Sequence, residues 1–125
     1  SFAFSLVSPE REIFSGDVDA VTVPGVEGMF EVLANHSPLM STLSPGMLEI
    51  REGGSTRKVY VRGGFADVTP AGLTVLAELA VNADDMKGDL VKSERETADA
   101  ILADPHTTPE EELNARRALD TLPSA

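Results

Sequence analysis

The chain has 125 residues, 42% of them hydrophobic and 25% charged, enough for one domain or for a small domain with an appendage. Ten basic residues stand against twenty-one acidic ones; the resulting net charge of −11 repels nucleic acid and anionic lipid headgroups, and no basic patch offsets it. Cysteine and tryptophan are absent, which excludes a disulfide scaffold and a thiolate zinc site and leaves the core to Val, Leu, Ile and Ala.

Residues 1–83 read as strands. Candidates in chain order are Ala3–Val7, Ile13–Phe14 running on through Val18–Val23, Met29–Leu33, Leu39–Leu43, Met47–Arg51, Arg57–Arg62, Phe65–Val68 and Leu73–Ala77. Apolar and polar residues alternate in Val18–Val23 and Lys58–Arg62, as a strand with one buried face requires. Between Val21 and Ile50 the turn signals crowd together: Pro24-Gly25, Glu27-Gly28, Asn35-His36, Ser37-Pro38 and Pro45-Gly46. Short strands with such punctuation predict an all-β sandwich or barrel. Gly63-Gly64 is expected to form a tight turn or a bulge, since no helix follows it.

Residues 84–125 change character and predict two helices, over about 85–103 and 109–122, joined as an antiparallel hairpin. Val91, Ala98 and Leu102 recur at helical spacing, with Asp84-Asp85 as the expected cap and Asp104-Pro105 as the stop. Thr108-Pro109-Glu110-Glu111 is a capping box with Pro at the first helical position. Ala115, Ala118, Leu119 and Leu122 then form one narrow apolar stripe.

No polar cluster predicts an active site. His36 and Ser37 are adjacent, so their side chains diverge on an extended chain, and His36 is expected to bond the backbone of its own turn. Two histidines without cysteine make no recognisable metal set, and Asp84–Asp89 lacks the ligand spacing of a calcium loop. Pro24–Gly28 is followed by no Lys-Ser/Thr and is not a phosphate loop. No apolar run approaches the roughly 20 residues that cross a bilayer, and the N-terminal residues lack the basic and apolar regions of a signal peptide. Neither membrane insertion nor a cofactor is expected.

Four motifs in order resemble one family: Pro24-Gly25-Val26-Glu27-Gly28, His36-Ser37-Pro38-Leu39, Pro45-Gly46-Met47 and Gly63-Gly64-Phe65-Ala66-Asp67-Val68. They are similar, in sequence and spacing, to the epsilon subunit of the F-type ATP synthase, counterpart of the mitochondrial delta subunit. The likeness covers the strand region and is looser over the helices, where it is carried by Glu112-Leu113 and Arg116–Leu119.

The resemblance implies a mainly β fold: a sandwich of about ten strands over residues 1–83, followed by a helical hairpin over 84–125. It implies a non-catalytic rotor subunit in the central stalk, joining the gamma subunit to the c-ring at the cytoplasmic face of a bacterial plasma membrane. Glu27, Gly28 and Met29 would face the c-ring, with Met29 standing where many members carry a carboxylate. Ser8, His36 and Ser41 would lie on the gamma side. In some members the hairpin reaches the alpha and beta subunits and inhibits hydrolysis; here Asp89, Lys92, Arg116 and Arg117 are its candidate regulatory residues. Gly88–Ser93 keeps only the Asp of the I-D-x-x-R-A pattern of ATP-binding members, so ATP binding is expected to be weak or absent. The alternative function is a free-standing regulatory module whose hairpin senses nucleotide or inhibits an ATPase.

Overall fold

The computed structural model describes residues 1–123; residues 124 and 125, the end of the expected helical segment, lie outside the described residues. Alternating side chains build eight strands: β1 (Phe2–Val7), β2 (Glu12–Val18), β3 (Ala20–Gly25), β4 (Gly28–Leu33), β5 (Leu39–Thr42), β6 (Gly46–Glu52), β7 (Ser55–Thr69) and β8 (Gly72–Asn82). Along the ladders the order is β2-β1-β8-β7-β6-β3-β4, with β5 also paired to β7.

The expected count of about ten strands is corrected to eight, because two strands serve both layers. The first part of β7 pairs with β6 and with residues 79–82 of β8, and its last part pairs with β5 and with residues 72–77 of β8. One layer is therefore β2-β1-β8-β7-β5 and the other β4-β3-β6-β7-β8, five positions in each. Phe4, Leu6, Ala66, Leu73 and Val75 from the first layer meet Val21, Val23, Leu48, Ile50, Val59 and Val61 from the second in one buried core.

The bend in β7 falls at Gly63 and Gly64, which take φ of 74° and 99°. This corrects the expected turn or bulge and the expected division into two strands. The β7–β8 register runs unshifted from Arg62↔Leu79 to Gly64↔Ala77. A side chain at Gly64 would collide with the Leu76 carbonyl of the neighbouring strand. Glycine is thus what lets the ladder turn the corner without a shift of register.

A second correction concerns β2 and β3, read from the sequence as one run. The chain leaves the first layer after Val18 and enters the second at Ala20. Asp19 holds the crossing: its N–H donates to Arg51 O at 2.8 Å and its carboxylate accepts from Gly53 N–H at 2.9 Å.

The outer face of β6, β7 and β8 presents Met47, Tyr60, Leu79 and Val81, and the C-terminal segment covers it with Met86 before the first helix, Val91 within it and Leu122 just past the second. Helix α1 spans Asp89–Ala103 and α2 spans Pro109–Thr121. The expected cap at Asp84-Asp85 is corrected: those residues lie in a short 3-10 turn, and α1 begins after Gly88 with no side-chain cap. Met86 is drawn into the buried cluster, and Gly88 at φ 59° redirects the chain into the helix. At α2 both bonds of the Thr108–Glu111 capping box are made. The two helices meet through Ala98, Ala115 and Ala118, small residues that allow close approach.

Candidate functional site

Glu27 and Gly28 sit at the β3–β4 turn, where Gly25 pairs with Gly28 across the loop of Val26 and Glu27. Gly28 takes φ 130°, a conformation that glycine adopts without strain. Both are exposed, and Met29, the first outward side chain beyond them, is 58% exposed. The back of the turn is tied down. Val26 N–H donates to Thr42 O at 3.0 Å, and Ser44 N–H donates to Pro24 O at 2.8 Å. Arg117 Nη1 donates to Val26 O at 2.9 Å and to Ser44 Oγ at 3.2 Å.

Ser8, His36 and Ser41 are not gathered at one place. His36 follows β4 after Asn35 at φ 66°, donates through Nδ1 to Ser37 O at 2.7 Å, and shares a recess with Phe2, Leu33 and Pro70. Ser8 follows the other end of β1, roughly 20 Å along the strand from Phe2. Its hydroxyl donates to Arg11 O at 3.2 Å. Ser41, in β5, lies instead beside Gly25 at the root of the β3–β4 turn.

Near Ser8 the outer face of the first layer carries apolar side chains that sequence reasoning did not single out. Phe65 faces Leu76 across the β7–β8 ladder, and Val7 faces Leu76 across the β1–β8 ladder. Phe65 and Leu76 are 37% and 39% exposed, and with Val7 and Pro9 they line a shallow groove. The signal was present: Val75-Leu76-Ala77 is apolar at three successive positions, so one side chain must point away from the core.

In the hairpin, Asp89 and Lys92 are exposed on α1, and Arg116 pairs with Glu112 one turn earlier on α2 at 2.9 Å. Arg117 turns inward to the sandwich, as described. A second tie went unnoticed in the sequence: Arg62 Nε donates to Glu94 Oε1 at 2.6 Å, joining β7 to α1. Glu94 lies between Val91 and Ala98 on the apolar stripe of α1, and that placement was its signal. Burial alone would lower the Arg62 pKa, but the Glu94 hydrogen bond and charge outweigh it and hold the guanidinium above its ordinary value. Beside this pair the Tyr60 hydroxyl is buried without a hydrogen-bond partner among the described residues. Desolvation, and then the Glu94 charge, push it up to about 12.

A cavity of about 190 Å³ lies between the layers and the hairpin, lined by Leu43, Arg62, Glu94, Ile101, Glu111 and Asn114 among others. Its guanidinium is already held by Glu94, and a second acidic residue, Glu111, also lines it. Among the described residues no three acidic, histidine or cysteine side chains are grouped to hold a metal ion.

These features define a two-layer β-sandwich with a helical hairpin seated on one outer face and two exposed surfaces, a glycine turn and an apolar groove. Residues 1–83 match the family model described as ATP synthase, Delta/Epsilon chain, beta-sandwich domain, and the chain belongs to that family. Among curated relatives, the ATP synthase epsilon chain of Parvibaculum lavamentivorans is 52% identical over 102 residues, 81% of this chain and 77% of that one. The epsilon chain of Caulobacter vibrioides is 59% identical over 80 residues, 64% of this chain and 93% of that one. Among solved structures, a chain of the Euglena gracilis mitochondrial ATP synthase, determined with OSCP, F1 and the c-ring, superposes with a TM-score of 0.73. It is 26% identical, with 97% of this chain and 76% of that one covered. A chain of the Tetrahymena thermophila central stalk and c-ring shares the fold, with a TM-score of 0.65 at 14% identity over 97% of this chain and 90% of that one.

Proposed function

We propose that the chain is a non-catalytic rotor subunit in the central stalk of a bacterial proton-translocating ATP synthase, joining the gamma subunit to the c-ring. The observation that carries this reading is the family match over the whole sandwich, together with the likeness to a chain determined beside F1 and the c-ring. It works peripherally at the cytoplasmic face of the membrane. Residues 1–83 supply the partner contacts, and the hairpin over 84–125 is a weak regulator.

The two exposed surfaces suit two partners. The Glu27-Gly28-Met29 turn offers backbone and one charge to the polar loops of the ring, an exposed contact of modest energy. The groove of Val7, Phe65 and Leu76 next to Ser8 offers apolar area to gamma, where burial yields about 25 cal/mol per Å². ATP binding is weak or absent, because the cavity under the hairpin opposes phosphate with Glu94 and Glu111 around a guanidinium already paired.

Co-purification with gamma tests the assignment. The wild-type chain is retained, and Leu76→Glu, which places a charge in the groove but leaves the core untouched, is lost while its melting temperature stays the same. Full retention of the Leu76→Glu chain would overturn the groove as the gamma site. Calorimetry showing sub-millimolar ATP affinity would overturn the nucleotide reading.

A further inference from the structure

Arg117 stands apart from its neighbour Arg116, although both are carried by α2. Arg116 is exposed and, among the described residues, bonds only Glu112 on its own helix. Arg117 is half-buried and crosses to the sandwich, where it donates to two acceptors on two different connections. One is the Val26 carbonyl inside the β3–β4 turn. The other is the hydroxyl of Ser44, which is 3% exposed in the connection between β5 and β6.

Those two connections are already bonded to one another. Val26 N–H reaches Thr42 O, Ser44 N–H reaches Pro24 O, and Gly25 bridges to Leu43. The Leu43 N–H in turn donates to Gly64 O at the bend of β7. Among the described residues, no hydrogen bond other than those of Arg117 runs from α2 into this network. The Arg62–Glu94 pair also fastens the hairpin, but it lands on β7 and α1 and leaves the turn untouched.

We infer that Arg117 couples the seating of α2 to the conformation of the β3–β4 turn. With α2 seated, the guanidinium closes the network from behind and holds the Val26 carbonyl and the Ser44 hydroxyl. With α2 lifted, both acceptors lose a charge-assisted bond, and the turn relaxes toward a looser ensemble. The coupling is reciprocal by thermodynamic necessity: whatever grips the turn in its bonded shape also strengthens the seat of α2. That the gripping partner is the c-ring rests on the reading above; the coupling itself does not.

Amide hydrogen exchange on the full chain reads it directly. In Arg117→Ala the Val26 and Ser44 amides should exchange about tenfold faster, the loss expected for one hydrogen bond to a charged group. The core amides of Val21 and Val59 should keep their protection. Arg117→Lys should restore part of the effect, since an ammonium can reach one acceptor but not fork across two. Arg116→Ala should change nothing at the turn. Unchanged exchange at Val26 and Ser44 in Arg117→Ala would overturn the coupling, and so would an equal rise in the core amides. A chain that shows the coupling yet does not engage the ring leaves this inference standing and removes the ring assignment alone.

Discussion

Tyr60 concentrates an unfavourable contribution at one atom. Its ring fills the space between the sandwich and the hairpin, but its hydroxyl has no partner there, and a buried unpaired hydroxyl costs about 1–3 kcal/mol. Tyr60→Phe should therefore raise stability by about 1 kcal/mol in urea titration. The same atom imposes a pH dependence. Below pH 10 folded and unfolded chains both keep the phenolic proton. Between the ordinary value of 10.0 and the folded value of about 12, only the unfolded chain ionises, so stability falls as pH rises. Two pH units of difference correspond to about 2–3 kcal/mol, and Tyr60→Phe should remove that part of the alkaline loss. Gly64 is a second decisive position. Gly64→Ala combines a left-handed backbone with a collision at Leu76 O and should cost about 3 kcal/mol or more, measured as a lowered urea midpoint.

Among elements, α2 is the one whose local chemistry is complete. Thr108 Oγ1 accepts from Glu111 N–H at 3.1 Å, and the Glu111 carboxylate accepts from Thr108 N–H at 3.1 Å. Thr108→Ala should cost about 1 kcal/mol and fray the first turn, seen as faster exchange at Glu111 and Glu112. This helix was legible in the sequence because its signals are local: a cap, a proline and an apolar period. The start of α1 was not. Asp84 and Asp85 have the composition of a cap, but burying Met86 in a cluster assembled from β6, β7 and β8 moved the helix start past them. The long strands were misjudged for a similar reason. A pair of glycines signals a break in pairing, whereas here it bends a ladder whose continuity depends on β8, a partner later in the chain. At the candidate surfaces, the turn of Glu27 and Gly28 followed from its residues, while the Arg62–Glu94 and Arg117–Val26 ties link positions far apart in sequence. Only the misplaced charge of Glu94 on an apolar stripe pointed to one of them.

For the whole molecule, the outer face of β6, β7 and β8 makes the hairpin part of the fold's apolar burial. Tyr60, Met47, Leu79 and Val81 face the helices and not water. A chain shortened by removal of 84–125 should keep its strand signal in circular dichroism, bind a hydrophobic dye such as ANS, and melt at a lower temperature. No dye binding and an unchanged melting temperature would show that the hairpin does not shield this face in solution.

The passage of β7 and β8 through both layers also has a mechanical consequence. In a sandwich whose sheets are joined only by loops, a sideways load on one sheet reaches the other through side-chain packing, and the sheets can slip. Here a load entering at β5 or β1 passes along the covalent backbone of β7 and β8 into the layer that carries the turn of Glu27 and Gly28. Slippage would require tearing backbone ladders in both sheets at once. The groove sits on β7 and β8 themselves, and the turn is reached from β7 through the β6 and β3 ladders. Displacement at one surface therefore passes to the other along backbone and ladder hydrogen bonds and not across the packed interface between sheets.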